Sequence, residues 1–461
     1  MEMRETSRFS RLAHRLGIVI VGIGAVTMFV FGDKPTTHIL PNGRPIHHRL
    51  VVSYWEEWTG FEGRAMRHIV NAFNLSQHRI YINMVEVSDV NIKTLISTAG
   101  GDPPDVVTLW SGSMGQFIAY HALTSLNVLL KDHVVTAQTF VPYAWKLCAP
   151  YGTIYGLPAT IDPNALYWNK ILFARAGLNP DQPPTTFKQL DEMTNRLTIV
   201  NPDGSIRQAG FLPMEPNWFR ADWGIYFGNQ IYNFKTGYFN IDTPPQRAAY
   251  HWFQSFSRRL GYQDVDNFQS GFGQFNSPLN PFIDGEVAME LQGPFLTNFI
   301  KSNNPALIGH YGVAPFPTSF GPPGAAAYGD SDIWVIPRGA RHVQAALEVL
   351  KFFIRQKNLE YLSDKQAKPS PLMKTSRAFI RNNPNPFIRV FDQIARNPHV
   401  QSLPPSAIWP RVNGQLNVMA NRIWMGAAVT DQLRHTQYLA DQWARRQNHL
   451  AALREKMEAR K

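Results

Sequence analysis

The chain has 461 residues, 44% hydrophobic and 17% charged, a composition that builds more than one core and excludes a disordered protein. Its single cysteine, Cys148, excludes an intrachain disulfide and any cysteine-built metal centre. The net charge of +11 is scattered and gathers only at the two ends, so it draws no stripe of the kind that nucleic acid needs.

At the N-terminus, Arg4, Arg8, Arg11 and Arg15 precede an uncharged run, residues 16–32, rich in Ile, Val, Phe, Met and Gly. A basic flank before an apolar run is the physics of membrane insertion with the positive side left in the cytoplasm. The run stands at the short end of the roughly 17–25 residues that span a bilayer. Val30 and Gly32 permit cleavage after Gly32, so a removed signal peptide and a retained anchor both stay open. No cysteine follows the run, which excludes a lipoprotein anchor. Either way the body is expected outside the cytoplasm, touching the membrane through residues 16–32 if they are not removed. Residues 33–49 read as a polar linker. Its His38, His47 and His48 have no acidic or cysteine neighbours, so they are read as exposed rather than metal-binding, and no metal or cofactor is expected.

The body opens with a strand over 50–55, then a helix carrying Met66, Ile69, Val70 and Phe73 on one face, then strands over 81–87 and 105–110. Strands alternating with helices predict a mostly parallel sheet covered by helices, with ligands outside the carboxyl ends of the strands. That places residues 55–58 and 110–113 at a mouth. A strand follows at 165–168, and Pro183 and Pro184 mark a loop. Thr185 or Thr186 then caps a helix over 187–197. Residues 244–260 form an amphipathic helix starting at prolines, strands follow at 311–316 and 332–336, and the last hundred residues are mainly helical. In the tail, Leu439, Trp443, Leu450, Leu453 and Met457 make a heptad-like stripe interrupted by Arg446. Packing on its own lobe is the favoured role of this stripe, and self-association or docking on a membrane partner is the other.

Taken in order, GGDPPDVVTLW (100–110), YGLPATIDPNALYWNKILFARAGLNPDQPPTTFKQL (155–190), FIDGEVAMELQGPF (282–295) and YGVAPFP (311–317) resemble the extracellular solute-binding proteins of ABC importers, in the group that includes maltose-binding protein. The third of these resembles a stretch in which an apolar helix end leads to Gly-Pro and an aromatic. The resemblance covers about 50–440. It implies an α/β, two-lobed periplasmic-binding-protein fold, type II-like, each lobe a mostly parallel sheet flanked by helices, behind an N-terminal signal or anchor helix. Lobe one would hold 50–160 and 314–373, lobe two 161–313 and 374–440, and 441–461 would be a helical tail. The implied function is capture of a carbohydrate or polyol between the lobes and its delivery to an importer permease, with no catalytic residues. A sensor presenting the same ligand to a signalling partner is one alternative, and a glycoside hydrolase using Glu57 and Glu215 is another.

A sugar presents hydroxyls at its rim and C–H faces above and below, so its site needs aromatic plates and convergent carboxylates. Trp55, Glu57 and Trp58, at the end of the first strand, supply both. The plainer reading leaves Glu56 solvated and packs Trp58 on the following helix. By resemblance, Trp110 is an aromatic contact with Ser111 beside it, and Asp162 is a ligand carboxylate, though an Asp before Pro also forms ordinary turns. Glu215 and Trp218 lie in a segment similar to the family's Glu-Pro-Tyr-Phe, with Asn217 in place of the Tyr. Phe295 and Trp409 stand where the family has stacking rings, and Asp330 lies in a loop near the crossing between lobes. A phosphate-bearing ligand would require Arg or Lys at the mouth, and none stands in these segments.

Overall fold

The computed structural model describes residues 48–216 and 223–458. The apolar run at 16–32, the linker through residue 47 and Trp218 lie outside the described residues. Among the described residues, no helix is long and apolar enough to cross a membrane.

The chain divides into a small unit, residues up to Val51 with Asn71–Tyr81, and a large one, Val52–Val70 with Ile82–Lys461. In the small unit the Leu50 N–H donates to the Arg79 carbonyl at 3.0 Å, and Arg49 donates to the Asn74 carbonyl at 2.6 Å.

Among the described residues, eleven strands form two sheets. They are β1 (Leu50–Glu56), β2 (Ile80–Glu86), β3 (Val106–Trp110), β4 (Gly156–Pro163), β5 (Ala165–Asn169), β6 (Ile199–Val200), β7 (Ile206–Phe211), β8 (Val287–Gln292), β9 (Tyr311–Ala314), β10 (Ala327–Val335) and β11 (Val400–Gln401). The first sheet runs β11-β10-β3-β1-β2 with β4 on β10, and the second runs β6-β7-β8-β5-β9. β4 and β8 are buried along their whole length, as strands covered on both faces must be.

The two-sheet α/β architecture matches the sequence reading, but the sheets are mixed rather than mostly parallel. β1 lies parallel to β3 and β7 to β8, whereas β10 runs antiparallel to both β3 and β4, and β5 to both β8 and β9. Antiparallel partners enter where the chain passes between the sheets. β4 continues into β5 through Asn164 alone, and the return from β9 to β10 occupies residues 315–326. Within 282–295, read as an apolar helix end leading to Gly-Pro, the helix Pro281–Asp284 ends early and strand β8 leads to the Gly-Pro. β11, inside the stretch expected in lobe two, pairs with β10 in the first sheet.

The second sheet carries the larger core, built from Trp168, Phe211, Trp223 and Phe253 and closed by the helices Trp409–Trp424 and Val429–Glu458. Ala440 and Ala444 are buried and Trp443 packs on the core under Arg411, whereas Leu450 and Leu453 are 46% and 43% exposed.

Candidate functional site

β1 and β3 run parallel and end side by side, and the residues after them are fixed by one carboxylate. Glu56 is fully buried rather than solvated. It accepts from the backbone N–H of Glu57 at 2.8 Å and of Trp58 at 3.1 Å, from the Tyr54 hydroxyl, and from Thr108 at 3.0 Å. Burial pushes its carboxyl up to about 8, against the lowering effect of those donors. Glu56 therefore holds the turn that presents Glu57 and Trp58.

Across β4 and β10 the register sets Asp162 opposite Asp330 and Thr160 opposite Asp332, so the period of two places all four on one face. Like charges directly opposite on a sheet repel, and the structure answers with specific partners. The indole N–H of Trp110 donates to Asp330 at 3.1 Å, and Thr160 donates to Asp332 at 2.7 Å. Lys368, only 4% exposed, donates to Asp162 at 3.1 Å and lies 3.6 Å from Asp332. The helix Gln356–Lys365 ends in a left-handed turn at Ala367 (φ 57), and the Lys368 N–H returns to the Ser363 carbonyl at 2.9 Å, which delivers the ammonium to this place. The Lys368 Nζ also sits 5.9 Å from the ring centroids of Trp58 and of Phe295, the latter arriving from beyond β8.

The electrostatics follow from five carboxyls sharing one ammonium. Burial raises Asp162 to about 8 although Lys368 opposes it, and Asp330 to about 6 although the Trp110 N–H opposes it. Glu57 is held well above the carboxylate range by burial, by the charges of Asp332 and Glu56, and by a hydrogen bond with Asp332. Glu62 is raised too, by burial. Burial depresses Lys368, but Asp162, Asp332 and Glu62 more than restore its proton affinity. One Asp162 oxygen is buried with no hydrogen-bond partner, and the Trp110 ring, hydrogen-bonded to Asp330 across from Asp162, stands 41% exposed. An acceptor without a donor next to an open aromatic face is what a hydroxyl-bearing ring requires. Among the described residues no His, Cys, Asp and Glu side chains group so as to hold a metal ion.

Of the residues proposed from sequence, Glu57, Trp58, Trp110, Asp162, Phe295 and Asp330 meet around Lys368, and Ser111 is buried just below, receiving the Ser331 N–H at 3.4 Å. Trp55 packs on the core of the first sheet. Glu215 belongs to another group, where Gln269 donates to it at 2.6 Å and its charge helps to raise buried Glu290. Trp409 corrects the expectation of a stacking plate. Its indole is 2% exposed, stacked on Phe239 at 6.1 Å inside the second core, so no face is left for a ligand. Lys368, Asp332, Thr160 and Glu62 were not foreseen. The Asp-Ser-Asp alternation at 330–332 is the signal that would have found Asp332, whereas nothing local marks Lys368. Lys368 brings to this place a cation that none of the segments named from sequence contains.

A family model for bacterial extracellular solute-binding proteins matches residues 62–360. A binding protein of Brucella abortus (strain 2308) is 29% identical over 210 residues, 44% of this chain and 47% of its own length, so the chain spans about half the length of that curated relative. A maltooligosaccharide ABC transporter solute-binding lipoprotein of Streptococcus pneumoniae (strain R6) is 24% identical over 339 residues, 70% of this chain and 73% of its own. Among solved structures, CpMnBP1 with mannobiose bound aligns with a TM-score of 0.75 at 26% identity, covering 85% of this chain and 100% of that one. With the two-sheet fold and the family model agreeing over well more than half of its length, the chain belongs to the bacterial extracellular solute-binding protein family.

Proposed function

We propose that this protein captures a neutral, hydroxyl-rich ligand of the carbohydrate class outside the cytoplasm and passes it to the permease of an ABC importer. Lobe one, 50–160 with 314–373, and lobe two, 161–313 with 374–440, close on the ligand, and residues 16–32 direct the chain to the membrane. The observation that carries this reading is the convergence of Glu57, Asp162, Asp330 and Asp332 on Lys368 beside the exposed face of Trp110. Carboxylates accept from sugar hydroxyls more strongly than neutral groups do. The single lysine is already committed to Asp162 and Asp332, which leaves no free cation in the cluster to pair with a phosphate. The mannobiose bound to CpMnBP1 and the maltooligosaccharide transport named for the pneumococcal lipoprotein support the same ligand class.

A thermal-shift and tryptophan-fluorescence screen of the protein against mono- and oligosaccharides, polyols, glycerol phosphates and peptides tests this. A ligand at 100 times its dissociation constant adds about 2.7 kcal/mol to stability. The expected result is a saturable response to one sugar class, lost in Trp110→Ala and Asp162→Asn, with the sugar recovered chemically unchanged. Silence across all sugars and polyols sinks the carbohydrate assignment, and a cleaved sugar sinks the binding-only role.

A further inference from the structure

A cavity of 680 Å³ is lined by none of the acidic residues around Lys368. Its walls come from the helix Pro142–Cys148, from the segment after Trp223–Phe227, from the passage between β9 and β10, and from the stretch around β11. The wall chemistry is opposite to that of the acidic cluster. Phe227, Phe234 and Phe320 line it, and Phe320 is 43% exposed. No aspartate or glutamate lines it. Lys146, at its rim, has its Nζ 3.6 Å from the Phe234 centroid and forms no ion pair among the described residues. Two lining residues, Tyr143 and Ser402, have buried hydroxyl oxygens with no hydrogen-bond partner.

Apolar rings around a volume of this size, a cation without a carboxylate and two unsatisfied hydroxyls describe a ligand pocket with one polar end. We propose that this cavity is a second binding site, for a small ring-bearing carboxylate whose ring lies among Phe227, Phe234 and Phe320 and whose carboxylate meets Lys146. A flat apolar body suits the three rings, and a carboxylate supplies the charge that no protein group supplies there. The two sites then differ in their cation: Lys368 is paired with Asp162 and Asp332, whereas Lys146 is left to meet an anion.

Titration calorimetry of the full chain with 2-naphthoate, against 2-naphthalenemethanol as its uncharged counterpart, tests the site. The expected result is saturable one-to-one binding of 2-naphthoate. Its affinity falls about tenfold or more in Lys146→Met and in Phe234→Ala, and the alcohol is weaker by a similar factor. Asp162→Asn leaves naphthoate binding unchanged while abolishing any sugar response, which separates this site from the carbohydrate reading. An unaltered thermal midpoint for Lys146→Met shows that the fold survives that change. Absent binding, equal binding of the alcohol, binding indifferent to Lys146→Met, or binding lost in Asp162→Asn each overturns the proposal.

Discussion

Lys368 is the residue on which the acidic face depends. Its side chain is 5% exposed and Asp162's is 10%, so neither is relieved by solvent. Lys368→Met should cost about 3–5 kcal/mol, the usual effect of stranding a buried charge. The urea midpoint reads this loss, and adding Asp162→Asn to the Lys368→Met variant should restore part of it. Glu56 gives a second test, through pH. Its folded-state carboxyl titrates at about 8, raised by burial, whereas an unfolded glutamate titrates at about 4.3. The folded chain thus binds the extra proton between those values. The contribution is complete below about pH 4 and is lost as pH rises through about 8, at no more than about 1.4 kcal/mol per pH unit for one group. Stability should therefore be higher at pH 5 than at pH 9, and Glu56→Gln should flatten the decline; an undiminished decline would place the titrating proton on another group. At this scale the sequence showed aromatic and acidic residues at strand ends but not their roles. Glu56 and Glu57 are neighbours with identical chemistry. Only the parallel register that brings Thr108 against Glu56 makes one a brace and leaves the other facing the cluster.

Elements were more legible, because their signals are local. The Pro-Pro-Thr-Thr start of the helix Phe187–Leu197 left two caps open, and the structure distinguishes them. Thr186 accepts from the Gln189 N–H at 3.1 Å, while Thr185 donates its own N–H and hydroxyl to the Gln189 side chain at 2.8 and 2.7 Å. Thr186→Ala should lower stability by about 1 kcal/mol, as loss of such a cap does, with thermal denaturation as the measure. The terminal helix Val429–Glu458 divides into a packed part and an exposed part. Truncation after Gln447 should leave the thermal midpoint almost unchanged. Truncation after Tyr438 also removes Ala440 and Trp443 from the second core together with buried Ala444, and should lower the midpoint by several degrees. What local pattern did not disclose was the pairing of β4 with β10. Asp162 and Asp330 lie far apart in the chain, and no periodicity within either segment records which strand will lie beside it.

For the molecule as a whole, binding should coincide with compaction, since only a ligand that prefers the closed arrangement can drive closure. Small-angle scattering should give a smaller radius of gyration with the saturating sugar than without it, and Asp162→Asn should abolish that change at the same sugar concentration. The fold class and the order of the segments were readable because several short motifs recur in sequence along the chain; the mixed sheets were not, because strand direction is decided by where the chain crosses over. Those crossings also carry the chemistry. Asp162 stands two residues before Asn164, the lone link from β4 to β5, and Asp330 and Asp332 lie on the strand by which the chain returns. If the proposed function holds, recognition and lobe closure share the same few peptide units, and selection cannot retune one without disturbing the other. Descendants of this protein that adopt new ligands should acquire altered opening and closing rates as an unavoidable by-product.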